Sequence, residues 1–222
     1  MSKQIATALA MVQDGMTVSL GGGSHVASLA KAMRDANFEG TVISPSELTR
    51  QYCQQLGMQV SANTQESDLA FDGCDGIDAQ FNLLKSNGGI FLDEQAYAQR
   101  AGQYVIMAPL AKFTKILAPT IPLTLAVNAE QSAVILDSVR ALGLQAELRV
   151  GVNYMGYVRT NHGHLLIDVH GADWHDIGKL TPRLCALEGV AASSYLPAAA
   201  DVLIAETEDG QVQIIRKGEQ HD

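Results

Sequence analysis

The sequence predicts an α/β protein: an open, mostly parallel, Rossmann-like sheet with a smaller inserted α+β (ferredoxin-like) domain. Two observations predict it. Short apolar strands alternate with amphipathic helices across short loops over the first half of the chain. From Pro122 onward the order becomes β-α-β-β-α with a strand near Val190, and the chain closes on an apolar hairpin. The larger domain is expected over residues 1–121 plus 198–222, and the smaller over 122–197.

Taken in order, residues 2–13 read as a helix stopped at Gly15. MTVSL is a strand, and GGGS follows it at once. HVASLAKAMRDA places Val26, Leu29, Ala30 and Met33 at helical spacing. GTVIS is a strand. SELTRQYCQQLG is a helix with Ser46 as N-cap and Gly57 as stop. MQVSA and LAFDG are short strands, and a helix over 93–101 leads into the strand YVIMA. Pro119 and Pro122 punctuate a loop. LTLAV, a helix over AEQSAVILDSVRALG and the strand QAELRV then open the smaller domain. YVRTNHGHLLIDVH reads as a hairpin turning at Asn161–His164. A helix near 176–187 follows, its start limited by Pro182. In ADVLIAETEDGQVQIIRK, the first arm of the hairpin is apolar enough to rejoin the first sheet.

Composition narrows the function classes. Hydrophobic residues make up 47% of the 222 and charged residues 18%, a globular balance. The formal net charge is −9 with no Lys/Arg cluster, which argues against nucleic acid. Cys53, Cys74 and Cys185 are odd in number and widely spaced, against both a disulfide framework and a thiolate zinc site. A reducing cytoplasm is the simplest reading. The N-terminal apolar run ends at Val12, so no signal peptide is expected. No apolar stretch approaches the roughly 20 residues that span a bilayer.

Three stretches could carry chemistry. The first is LGGGSH, Leu20–His25, between a strand and a helix. Gly21, Gly22 and Gly23 let backbone approach a ligand, and the helix start offers N–H groups to an anion, with Ser24 and His25 as added donors. A tight turn with no ligand is the equal alternative. No lysine ends the loop, so it is not a Walker A loop, and the dinucleotide fingerprint also fails. The second is FDGCDGIDA. Asp72 and Asp75 follow an apolar strand at its C-terminal end, where open α/β sheets place their crevices. Lys85 and Glu94 lie downstream across SNGG. Carboxylates beside a lysine in a half-buried crevice are the ingredients of proton transfer. The period of three is wrong for a calcium loop, and Asp78 reads as a solvated turn or helix-start residue. The third is His162, His164, His170 and His175, read as surface or turn residues and not as metal ligands. Cys74 reads as a small buried residue and not a nucleophile.

These residues also carry a resemblance. GGGSH resembles the GTGST-like loop of the ribose-5-phosphate isomerase A family, and DGCDG at Asp72–Gly76 its DGADE-like motif. KSNGG at Lys85–Gly89 is similar to its KGGG run, and DEQ at Asp93–Gln95 to its REK motif. Lys112 matches a further family lysine, TNHGHLLID echoes TDNGN-x-ILD, and LEGVA echoes IPGVV. Six such motifs fall in order over nearly the whole chain. The resemblance implies cofactor-free aldose–ketose isomerisation of a pentose phosphate through an enediol(ate), in the pentose phosphate pathway, by a cytoplasmic homodimer or dimer of dimers. It implies Glu94 as proton shuttle, Lys85 as stabiliser of oxyanion charge, and Asp72 and Asp75 as hydroxyl-binding groups. It places Lys112 on the substrate's anionic end or an active-site carboxylate. The phosphate then meets Gly21–His25, with Gly88 in the substrate loop.

The departures are equally specific. Gly76 stands where the motif has a glutamate. Gly22 and His25 occupy hydroxyl positions of the phosphate loop, and Asp93 and Gln95 replace basic residues. Pro109 and Ala111 replace an acid and a serine, and Thr124 replaces the glutamate of PVEV. Losing two donors to a phosphate, at roughly 1.5–3 kcal/mol each, weakens binding by about a hundredfold or more unless others compensate. Two alternatives therefore stay open: an isomerase of another sugar phosphate, and a non-catalytic sugar-phosphate sensor.

Overall fold

The computed structural model describes residues 1–61 and 66–219. In chain order the elements run α1 (Lys3–Leu9), β1 (Thr17–Leu20), α2 (Ser24–Asp35), β2 (Thr41–Ile43), α3 (Glu47–Gln55) and β3 (Ser67–Asp72). Next come β4 (Gly76–Asp78), β5 (Leu83–Leu84), α4 (Phe91–Ala98), β6 (Ala101–Pro109) and β7 (Phe113–Thr114). They are followed by β8 (Leu123–Val127), α5 (Ser132–Ala141), β9 (Gln145–Leu148), β10 (Leu165–His170) and α6 (Ile177–Cys185). The chain ends with β11 (Val190–Ser193), β12 (Tyr195–Leu196), β13 (Val202–Glu206) and β14 (Val212–Arg216). It divides into two compact units. The first is Met1–Cys74, Asp93–Phe113 and Ala199–Asp222; the second is Asp75–Leu92 and Thr114–Ala198.

The first unit is built on a six-stranded sheet of order β14-β13-β6-β3-β1-β2. Its four pairings from β2 to β13 are parallel, and only the β13–β14 hairpin is antiparallel. The central strands β3 and β6 are apolar and buried on both faces over residues 69–71 and 105–108, as a covered parallel sheet requires. One core forms where Val18, Leu20, Phe71, Val105, Met107 and Ile204 meet Val26, Leu29 and Met33 of α2. Ser46 caps α3 by accepting from Thr49 N, and Gly57 at φ +74 follows the last turn, as the sequence predicts.

The second unit holds a β8-α5-β9-β10-α6-β11 run whose sheet order is β11-β8-β10-β9, wholly antiparallel. This is the ferredoxin-like arrangement the element order implies. A smaller antiparallel sheet of order β12-β5-β4-β7 stands beside it in the chain. The fold class is therefore α/β with a mostly parallel sheet plus small antiparallel sheets.

Several local expectations change. The α1 helix is shorter than residues 2–13. MQVSA contributes only a bridge from Val60 to Val42, and its Ala62 lies outside the described residues. The turn near Asn161–His164 forms, closed by Thr160 N and Gly163 N. Its first arm joins β10 only through the antiparallel bridge from Arg159 to Leu165, because β9 takes the rest of that edge from Ile167 to His170. Pro182 does not limit a helix start: it sits inside α6, which continues past it through the Ala186 N to Pro182 O bond.

Candidate active site

Within the first unit, the glycine loop is fixed from both sides. Gly21 N donates to Phe71 O at 2.8 Å, and Thr49 Oγ1 donates to Gly21 O at 2.8 Å. A side chain at 21 would collide with the Asp72 carboxylate, whose Oδ2 lies 2.6 Å from where a Cβ would stand. Glycine is needed here for close approach, and the residue approached is one the sequence singles out. Gly23, at φ +101, precedes α2, whose first turn carries no acidic side chain and no side-chain cap. Its N–H groups therefore face the loop without a competing protein acceptor on the cap. Ser24 is exposed.

His25 is committed on one nitrogen. Gln4 is fully buried and its amide donates to Ala108 O at 3.1 Å and Ile204 O at 2.8 Å. Its oxygen must therefore accept, and His25 Nδ1 donates to it at 2.6 Å. Nε2 of His25 can donate to an anion only when the ring is protonated. The ring lines a cavity of about 650 Å³ with Pro109, Leu110, Ala111 and the β13–β14 hairpin around Glu206 and Gly210.

Asp72 ends β3 and is buried. Its Oδ1 accepts from Gly73 N at 2.8 Å and its Oδ2 from the Tyr104 hydroxyl at 3.1 Å. Glu94 is also buried, in the first turn of α4, where the helix dipole favours a carboxylate. Burial, and then the charges of Asp72 and Glu94, push the Tyr104 phenol well above its ordinary range. The two carboxylates thus lie within electrostatic reach of one hydroxyl. Lys112 closes a 3-10 turn after β6 and donates to Cys74 O at 2.7 Å, gripping the turn that links Asp72 to Asp75. Cys74 is buried.

Within the second unit, Asp75 is clamped by the SNGG run: Asn87 N donates to Oδ2 at 2.9 Å and Asn87 Nδ2 to Oδ1 at 2.6 Å. Lys85 is 6% exposed, and its backbone N donates to Ser194 O at 2.9 Å. Ser86 adds a hydroxyl contact to Ser194, so the lysine leaves a pinned backbone. Gly88 is exposed at the tip of the run. Asp78 is a turn residue but not a solvated one. It is 5% exposed and accepts from Gln80 N, Asn82 N and Asn82 Nδ2, which replace its water. A Cβ at Gly76 would stand 2.8 Å from Ile121 Cδ1, so Ile121 fills the space a side chain there would need.

Two groups escaped the sequence reading. Tyr104 was legible only as a strand residue, although a phenol in an aliphatic buried strand must find a polar partner. Arg149, on the loop after β9, forms a two-pronged pair with Asp168 on β10, donating also to Thr124 Oγ1 at 2.9 Å and Asn87 O at 3.3 Å. An aspartate inside an apolar strand was the available signal. His170 and His175 pair with Glu147 and Asp173. Among the described residues, no group of three His, Cys, Asp or Glu side chains could hold a metal ion, and no helix is long and apolar enough to cross a membrane.

The model of the ribose 5-phosphate isomerase A (phosphoriboisomerase A) family matches residues 41–210. The chain belongs to this family. It is 30% identical to ribose-5-phosphate isomerase A of Thermosynechococcus vestitus, over 96% of this chain and 94% of that one. It is 31% identical to the ribose-5-phosphate isomerase A of a Roseiflexus species, over 93% and 91%. The solved ribose 5-phosphate isomerase A of Methanocaldococcus jannaschii superposes with a TM-score of 0.87 at 25% identity, covering 97% of each chain. The isomerase A fold therefore spans both units.

Proposed function

We propose that this chain interconverts ribose 5-phosphate and ribulose 5-phosphate through an enediol(ate), without a cofactor, in the pentose phosphate pathway. The observation that carries the reading is the Asp72–Gly21 approach. It sets a buried carboxylate against the glycine loop at a strand end, with Glu94 in electrostatic reach, in a chain that matches family relatives end to end.

The Glu94 carboxylate takes the proton from C2 of the open-chain aldose while O1 gains one, giving the enediol(ate). Returning the proton to C1, with loss of the O2 proton, yields the ketose. Lys85 stabilises the charge that develops on O1 and O2. Asp72 and Asp75 bind hydroxyls and assist ring opening. The backbone of Gly21–Gly23, Ser24 and the α2 N-terminus receive the phosphate, with Lys112, His25 and Gly88 lining the substrate. The protein acts as a cytoplasmic homodimer. The three free cysteines support the compartment, and the family resemblance alone supports the dimer.

The test is turnover of ribose 5-phosphate and a panel of aldose phosphates in deuterated water, following ketose and carbon-bound deuterium. Wild type is expected to form ribulose 5-phosphate with exchange, and Glu94→Gln to lose both. Tight sugar-phosphate binding without turnover or exchange across the panel would sink the proposal in favour of a sensor. The exposed Ser24, the one hydroxyl left in the loop, favours a second reading in which another sugar phosphate is the better substrate. The ranking of kcat/KM across the panel decides between them.

A further inference from the structure

Tyr104 is 3% exposed on β6, in a run otherwise made of Val105, Ile106, Met107 and Ala108. A phenol buried there costs stability unless its hydroxyl finds a partner. The register pairs Ala70 with Tyr104 and Asp72 with Ile106, so alternation puts Tyr104 and Asp72 on the same sheet face, one strand apart. The hydroxyl spans that gap to Asp72 Oδ2 at 3.1 Å. The root of the side chain is held as firmly as its tip. Asp201, just before β13, accepts from Tyr104 N at 2.8 Å and donates through its own N to Tyr104 O at 2.9 Å.

Each Asp72 oxygen thus has a fixed donor: the Gly73 amide on Oδ1 and the Tyr104 hydroxyl on Oδ2. The Gly21 backbone closes a third side. The phenol faces Asp72, Glu94 and Cys74, and burial with those charges holds it neutral far above the ordinary range. An ionised carboxylate can only accept, so a neutral phenol beside it donates. We propose that Tyr104 is a positioning residue for the reaction, fixing the rotation of the Asp72 carboxylate in the orientation that meets the substrate hydroxyls. The proposal rests on the reading of Asp72 as a substrate-handling group. A reacting group misplaced by about 1 Å loses on the order of a hundredfold in rate, which sets the scale available to such a residue.

The experiment is a double-mutant cycle of Tyr104→Phe and Asp72→Ala, with kcat, KM and thermal melts for all four proteins. Tyr104→Phe keeps the ring and its packing. It is expected to melt cooperatively and to lose about 10- to 100-fold in kcat with KM within about twofold, the pattern of an interaction used in the transition state. In the Asp72→Ala background the same change is expected to alter kcat by less than about twofold. There it should leave Tm unchanged or raise it, because the hydroxyl has already lost its acceptor. An unchanged kcat in Tyr104→Phe while Asp72→Ala loses activity would overturn the proposal and leave the reading of Asp72 intact. Equal losses from Tyr104→Phe in both backgrounds would make its role merely structural. Full activity in Asp72→Ala would remove both.

Discussion

Replacing Gly21 with alanine is a sharp test of how the loop and Asp72 are packed. The added methyl overlaps the carboxylate, and even the farther oxygen is only 2.6 Å away. The loop cannot easily withdraw, because its N and O are tied to Phe71 and Thr49 at 2.8 Å each. The carboxylate must turn instead, giving up the Gly73 amide or the Tyr104 hydroxyl. Overpacking costs about 1–3 kcal/mol and a lost bond to a charged acceptor about 1.5–3, so a total of about 2.5–6 kcal/mol is expected. At about 2–4 °C per kcal/mol for a chain of this size, Tm should fall by roughly 5–25 °C. On the proposed mechanism, kcat/KM should fall by roughly a hundredfold from displacement of Asp72. The decisive comparison is the melt of Gly21→Ala against Gly21→Ala/Asp72→Ala. Removing the carboxylate relieves the collision, so the double variant should melt above the single one. Wild-type Tm and kcat/KM in Gly21→Ala would refute the reasoning outright.

Two further outcomes follow from other contacts. Arg149→Met strands the half-buried Asp168 and frees Asn87 O, and should cost about 2–4 kcal/mol in thermal or urea melts; adding Asp168→Asn should recover about half, and an unchanged melt would show the pair to be idle. Burial pushes the Cys53 thiol from 9.0 up to about 11. Between those pH values the unfolded chain ionises and the folded one does not, so stability is flat below about pH 9 and then falls, by up to about 2–3 kcal/mol at pH 11. Tyr104, shifted the same way, adds to the loss from about pH 10, where an unfolded tyrosine begins to ionise. Urea midpoints at pH 8, 10 and 11 check this, and Cys53→Ala should show a shallower decline than wild type.

Much of this fold was legible because its long elements obey one period. α2, with Val26, Leu29, Ala30 and Met33 facing the sheet, and β6, apolar from Val105 to Ala108, admit few other readings. The order-4 antiparallel sheet of β12, β5, β4 and β7 was not legible. Its strands are two or three residues long, too short to show alternation. Asp78 was misread for the same reason. Its burial comes from a turn that folds back through Asn82, and no local pattern announces such a closure. In the site, the sequence marks Asp72 by residue type and strand-end position, and Lys85 and Glu94 by residue type on either side of a glycine-rich turn. It does not mark the groups that orient them. Tyr104 reaches Asp72 from 32 positions away, and Asn87 grips Asp75 from 12, so each pairing exists only once strands and turns are in register.

Gly76 and Ile121 compete for one space. An acid introduced at 76 alone would meet the Ile121 side chain before it could reach any ligand. The same acid in a chain already carrying a smaller residue at 121 would find open space. The two positions are therefore epistatic: each substitution changes whether the other is tolerated. An acid enters at 76 only if Ile121 turns its terminal methyl aside or is made smaller, so a design that seeks the carboxylate there begins best at 121.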